Sequence, residues 1–261
     1  MNKIIKVIFI IVAMILTLTC AAIHPIAEES KYSWYCVHVR DHRQPTADAR
    51  FSFISEYGGF YIDEKHGDKD SEKVIYLTFD AGYENGNVSR ILDVMKTEEV
   101  TGAFFVLGNL VEKNPDLINR MFDEGHLVCN HTYSHKAMVG YNREQFTAEL
   151  EKLEEACIRK TGRELSKFYR PPEGVFDRNS LAYAKDMGYK TVFWSFAYAD
   201  WDNNKQMSAS SAKAKILENL HNGEIMLLHP TSKTNADIIG DVIRELKAEG
   251  YRFGSLEELC E

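Results

Sequence analysis

From Val74 to Phe253, short apolar runs rich in β-branched and aromatic residues alternate with stretches whose apolar side chains recur at helical spacing. That alternation leaves few folds open. Val74–Phe79 suits a strand buried on both faces, and Gly82 and Gly86 mark where the chain leaves the sheet. Behind Asn87, read as an N-cap, Val88, Ile91, Leu92 and Met95 share one helix face. Ala103–Leu107 reads as the second strand, and Asn114-Pro115 opens a helix carrying Leu117, Ile118, Met121 and Phe122 that Gly125 stops. His126–Cys129 and Phe168-Tyr169 follow as strands, separated by a helix with Phe146, Leu150, Leu153 and Cys157 on its apolar face. The pattern then repeats as helix Leu181–Met187, strand Tyr189–Ser195, helix Ala209–His221, strand Ile225–Leu228, helix Asp237–Glu249 and strand Tyr251–Phe253. Strands that alternate with helices pair in parallel through right-handed crossovers, so the fold is an α/β barrel or a doubly wound sheet.

The 261 residues suffice for one larger α/β domain or two small ones, and 44% hydrophobic content supplies a core. A net charge of −8 with no Lys/Arg cluster excludes a nucleic-acid partner, because polyphosphate binding needs clustered cations. Lys3 and Lys6 precede an apolar run from Val7 to Leu18, followed by Ala21 and Ala22. Residues 1–27 therefore read as a signal peptide or, extended from Ile4 to Ile23, as an N-terminal membrane anchor. Either makes the protein exported: extracytoplasmic, or membrane-anchored facing the cell wall. Cys20 follows Leu18-Thr19, a poor match to a lipoprotein processing site. Cys36, Cys129, Cys157 and Cys260 form no CxxC pair, so neither a zinc cluster nor an essential disulfide is expected. Residues 28–73 read as an irregular aromatic segment packing on the main domain, which occupies 74–261. No obligate protein partner is evident.

The residues that end the strands carry the functional argument. They are Asp80, His131 with His135, Arg170, Asp200 in the loop beyond Ser195, and His229. Loops at the other ends carry chiefly Gly-containing stops, as at Gly188 and Gly223, and this asymmetry is what a site at the carboxyl face of a sheet predicts. His131-Thr132-Tyr133-Ser134-His135 spaces two imidazoles so that one side of a helical turn holds both, a spacing that suits one borderline metal ion and equally two surface imidazoles. Pro171 forces Arg170 out of the helical region and yields a rigidly held guanidinium. Asp200-Trp201 alone reads as a turn, and His229 as either a core histidine or a proton donor.

Taken together and in this order, Thr78-Phe79-Asp80, His131-x-x-x-His135, Arg170-x-Pro172-x-Gly174, Asp200-Trp201 and Leu228-His229 resemble the five motifs of the polysaccharide deacetylase (NodB homology) family. Asp80-Ala81-Gly82-Tyr83-Glu84-Asn85-Gly86, Phe193-Trp194-Ser195 and Leu227-Leu228-His229 look like the branch that deacetylates peptidoglycan muramic acid on the way to the muramic δ-lactam of spore cortex. The resemblance implies a distorted (β/α) barrel of about seven parallel strands and a metal-dependent hydrolase acting on N-acetyl groups of peptidoglycan glycan strands. N-acetylglucosamine glycans or chitin oligomers are the alternative substrates, and an impaired glycan-binding module is the alternative class.

The same resemblance implies that His131 and His135 hold a divalent metal, zinc by donor type. Asp80 would be the general base, His229 the acid, Arg170 the holder of Asp80 and Asp200 the group that steers His229. The backbone N–H of Glu173 would bind the oxyanion, and Trp201 would contact substrate. Ala81 departs from the family, which has an aspartate ligand there, so weak metal binding is expected. Glu173 stands where the family has an aromatic residue.

Overall fold

The computed structural model describes residues 31–260, so the expected export segment 1–27 and Cys20 lie outside the described residues. Lys73–Ala81 is the central strand. Glu224–Leu228 pairs with its Ile75–Phe79 stretch and Ala103–Val106 with Thr78–Ala81, both in parallel. Beyond Ala103–Val106 come Leu127–Asn130, Ser166–Tyr169 and Lys190–Val192, all parallel, while Tyr251–Phe253 pairs with Lys73–Ile75.

Strand alternation divides the core into two layers. Ile75, Leu77, Phe79 and Ala81 pack outward under helices Asn87–Thr97, Pro115–Asp123 and Lys233–Ala248. Val74 and Tyr76 face inward, against Ala103, Phe105, Cys129, Phe168 and Ile225. This is the distorted barrel that the resemblance implies, with every strand of the main sheet parallel to its neighbours.

Several boundaries differ from expectation for local reasons. The strand expected over Tyr189–Ser195 is regular only over Lys190–Val192. After Phe193, whose N–H still donates to the Phe60 carbonyl at 2.7 Å, the backbone leaves that ladder: Ser195 N–H donates to the Ile225 carbonyl at 3.0 Å, and Leu227 N–H to the Phe196 carbonyl at 2.8 Å. These bonds join the two sides of the sheet without a regular strand. Helix Lys233–Ala248 starts before the expected Asp237 because the Ser232 side chain caps it by accepting from Asn235 N–H. Asn87 is the first helical residue and not the cap, which is Gly86 at φ 92°. A short helix, Gly108–Lys113, had no signal at all.

The segment expected to be irregular is partly regular. It holds a 3-10 helix, Ala49–Tyr57, and the short strands Tyr32–Ser33, Cys36–Val37 and Thr46–Ala47. Gly59-Phe60 then joins the main sheet beside Thr191-Val192. A Cβ at Gly59 would lie 2.3 Å from Ile54 Cγ2, so only glycine lets this two-residue strand dock. Such short pairings leave no periodicity to read. Trp34, Phe51 and Phe53 pack with Phe176, Leu181 and Phe193, which fastens the segment to the barrel.

Candidate active site

Asp80 is the next-to-last residue of the central strand and sits on its inward face, at the carboxyl end of the barrel. Arg170, fully buried, donates from Nη1 to Asp80 Oδ1 at 2.8 Å. Its other donors are used as well: Nη2 reaches Thr78 Oγ1 at 2.9 Å and the Phe193 carbonyl at 3.1 Å, and Nε reaches the Val192 carbonyl at 3.0 Å. The guanidinium also lies 4.1 Å from the Phe105 ring centroid. The rigid cation expected from Pro171 is present, and it is held from four directions. Burial opposes charge on Asp80, but the His131 imidazole, Arg170 and His229 outweigh it and hold the carboxyl below its usual range. His131 is itself pushed down to about 4, chiefly by burial, so at neutral pH it is uncharged and Arg170 and His229 carry the effect.

His131 and His135 come together, their ring centroids 5.0 Å apart, but not on a helical turn. The loop instead takes left-handed backbone at Thr132 (φ 71°) and His135 (φ 58°), costly for a β-branched residue. Local bonds hold it there. Asn130 Oδ1 accepts from Thr132 N–H at 2.9 Å, and Thr132 Oγ1 from His135 N–H at 2.9 Å. Gly108 lets the loop pack, since a Cβ there would lie 2.5 Å from the Tyr133 ring. Asn130 is fixed in turn by donating to the Leu150 carbonyl at 3.1 Å and Tyr189 hydroxyl at 3.0 Å. His131 Nδ1–H donates to the Arg170 carbonyl at 2.8 Å, which leaves the Nε2 lone pair directed at Asp80 Oδ2, 3.4 Å away.

His229 follows its strand and stands across the cavity. Asp200, 2% exposed, accepts from His229 Nδ1 at 2.7 Å and from His229 N–H at 2.8 Å. Burial pulls the imidazole pKa down, but the hydrogen bond and charge of Asp200 outweigh it and raise the pKa above its ordinary value. The pairing of Asp200 with His229 was not derivable from spacing, because 29 residues separate them. Asp80, His131, His135, Glu173, Trp201 and His229 all line one cavity of about 700 Å³. Arg170 and Asp200 lie behind its wall.

The polysaccharide deacetylase profile matches residues 67–192. The peptidoglycan-N-acetylmuramic acid deacetylase PdaA of Bacillus subtilis is 41% identical over 220 residues, covering 84% of this chain and 82% of that protein. The chain belongs to the polysaccharide deacetylase family. Its fold agrees: the solved structure of Bacillus subtilis PdaA, a family 4 carbohydrate esterase, superposes with a TM-score of 0.83 at 39% identity, covering 88% of this chain and 97% of that one. A peptidoglycan-N-acetylglucosamine deacetylase of Bacillus cereus is 34% identical over 71% of this chain and 67% of its own length. As a deacetylase of this family the chain is a hydrolase of amide C–N bonds.

Deacetylases of carbohydrate esterase family 4 are generally metal-dependent, and the donors in this member fit a divalent cation. A neutral imidazole lone pair facing a carboxylate oxygen at 3.4 Å, with His135 alongside, is repulsive unless a cation lies between or beside them. No group of three or more His, Cys, Asp or Glu with metal-binding geometry occurs among the described residues. Ala81, where the family has an aspartate ligand, offers no donor atom, and its methyl is fully buried in the outer apolar layer and does not line the cavity. Glu173 is exposed at the cavity mouth with left-handed backbone (φ 57°), and Trp201 is 61% exposed, its ring centroid 6.1 Å from that of His229. Thr78, which braces the site through Arg170, stood in the Thr78-Phe79-Asp80 motif, whereas Asn130, Tyr198 and Asn235 carried no chemical signal. The spacing from Ser232 to Asn235 marks a helix start and says nothing of Asp200.

Proposed function

We propose that this chain is an exported peptidoglycan deacetylase that removes the N-acetyl group of N-acetylmuramic acid, on the way to the muramic δ-lactam of spore cortex. The observation that carries the reading is the opposition, across one cavity, of an arginine-paired carboxylate and an aspartate-paired imidazole. Amide hydrolysis needs one group to take a proton from water and another to give one to nitrogen. Asp80, ionised by its neighbours, removes the proton as the water oxygen bonds to the acetyl carbon. The Glu173 backbone N–H donates to the carbonyl oxygen as it becomes negative. His229, charged through Asp200, gives its Nε2 proton to the nitrogen as the C–N bond breaks, and acetate and a free amine leave. A divalent metal held by His131 and His135 would polarise the acetyl carbonyl and the water. Zinc suits two imidazoles, and the missing aspartate at Ala81 makes its binding weak.

The muramic acid assignment is supported by the relative from Bacillus subtilis, whose name specifies that sugar and most of whose length this chain matches. Export is supported by the basic and apolar pattern before Ala21. Incubating the purified protein with muramic-acid-containing glycan strands, with and without divalent metal, and measuring acetate and product masses tests the reading. Acetate with a mass loss on muramic acid is expected. Loss only from N-acetylglucosamine would transfer the assignment to that sugar, and absence of acetate under every metal condition would end the enzymatic reading.

A further inference from the structure

The inference deepens the proposed function and rests on its assignment of His229 as the acid. Asn235 lies in the first turn of helix Lys233–Ala248, which carries none of the motif residues, and is 1% exposed. Its Nδ2 donates to Asp200 Oδ2 at 2.6 Å and to the His229 carbonyl at 3.2 Å. Its Oδ1 accepts from the buried Tyr198 hydroxyl, and its backbone N–H donates to Ser232 Oγ at 3.1 Å. With a hydroxyl donor committed to Oδ1, the amide cannot flip without losing bonds on both sides.

Asp200 is thereby tied at both oxygens. Oδ1 takes His229 Nδ1–H, while Oδ2 takes His229 N–H and Asn235 Nδ2–H. We propose that Asn235 is a positioning residue for deacetylation: it fixes the Asp200 carboxylate in the rotamer that receives His229 Nδ1–H and so keeps His229 Nε2 aimed into the cavity. The residue type follows from the surroundings. A carboxylate at 235 would set a second anion against Asp200 in a dry place, and an apolar side chain would leave Asp200 tied only to His229, the residue it has to orient, with no bond to a separate element. The other charged groups acting on His229 are Asp80 from the central strand and Arg170 from beyond the Ser166–Tyr169 strand. Neither contacts Asp200, so neither replaces the amide in orienting it.

The test compares full-length wild type with Asn235→Leu, which keeps the bulk and removes the donor, and Tyr198→Phe, which removes only the hydroxyl that orients the amide. Histidine ¹⁵N spectra, recorded without substrate and at a pH raised until His229 is neutral, read its tautomer, and steady-state kinetics on muramic-acid glycan strands read kcat and KM separately. Neutral His229 is expected as the Nδ1–H tautomer in wild type and as a mixture in Asn235→Leu. In that variant kcat is expected to fall about 10–100-fold with KM within about twofold, the range seen when a partner of an active-site ligand is removed. Tyr198→Phe shifts both readouts in the same direction by less. Folded variants that keep the wild-type tautomer and kcat overturn the proposal. Should Asn235→Leu fail to fold, Tyr198→Phe decides alone, a wild-type tautomer and kcat overturning it. If wild type releases no acetate, the assignment of the reaction fails, and the tautomer still decides whether Asn235 orients the pair.

Discussion

Arg170 and Asp80, 90 residues apart in sequence, meet inside the barrel, with Nη1 of the fully buried guanidinium 2.8 Å from Oδ1 of the carboxylate. The second oxygen, Oδ2, stays on the cavity side, 3.4 Å from His131 Nε2. One oxygen anchors and the other is left for chemistry. Asp80→Asn keeps an acceptor for Arg170 but has no carboxylate to take a proton. Turnover is expected to fall at least about 10³-fold with the circular dichroism spectrum unchanged. Acetate release within tenfold of wild type would show that Asp80 is not the base.

Removing the cation tests the other half of the pair. Arg170 helps hold the Asp80 carboxyl below its usual range, so the carboxylate form is stabilised by folding. That contribution is present above the unfolded pKa and is lost as pH falls through the folded one. In Arg170→Met the largest fixed charge opposing burial is gone and His229 alone offsets it, so the Asp80 pKa rises and the acid limb of kcat/KM moves to higher pH. Losing one partner of a buried pair also costs about 3–5 kcal/mol of stability, read as a fall in denaturation midpoint at pH 7. An acid limb unmoved in a folded variant would contradict the role given to Arg170.

The sequence revealed the barrel because a strand buried on both faces must be a continuous apolar run, and Val74–Phe79 or Ile225–Leu228 can be little else. Asp80, Arg170 and His229 were legible for the complementary reason, as charged residues that interrupt such runs at the same end. Gly59-Phe60 was not legible, since two residues have no period. The His131–His135 turn was misread as helical because spacing alone cannot show that Asn130 and Thr132 hold left-handed backbone. Asn235 and Tyr198 were invisible because their partners belong to other elements and meet only in three dimensions.

Metal retention follows from Ala81. A set of two imidazoles without the usual anionic ligand binds a divalent cation less tightly than one with it. Protein purified without added metal and dialysed against chelator is expected to lose most of its metal by elemental analysis, and adding zinc should restore acetate release. Stoichiometric zinc that survives dialysis would show that other groups, Asp80 Oδ2 foremost, complete the site.

Glu224 offers a prediction independent of catalysis. It is fully buried at the start of its strand, and its Oε1 meets no hydrogen-bond partner while Oε2 accepts from His221 N–H at 3.2 Å. His221 brings no compensating charge, because burial pushes its pKa down to about 4; its Nδ1–H donates to the Asn219 carbonyl at 2.9 Å and its Nε2 accepts from Ser195 Oγ at 2.8 Å. Burial therefore raises the Glu224 pKa well above its ordinary value. A folded-state pKa raised above the unfolded one means that the fold binds the proton more tightly. The stability this adds is complete below the unfolded value of about 4.3 and is lost as pH climbs towards the folded value. Glu224→Gln keeps the shape and removes the titration. Whatever constant offset the amide introduces, the stability of the variant relative to wild type is expected to rise with pH above about 4.3, by up to about 1.4 kcal/mol per pH unit. Urea denaturation at several values between pH 5 and 8 reads that slope. A difference independent of pH would show that Glu224 is ionised in the folded protein.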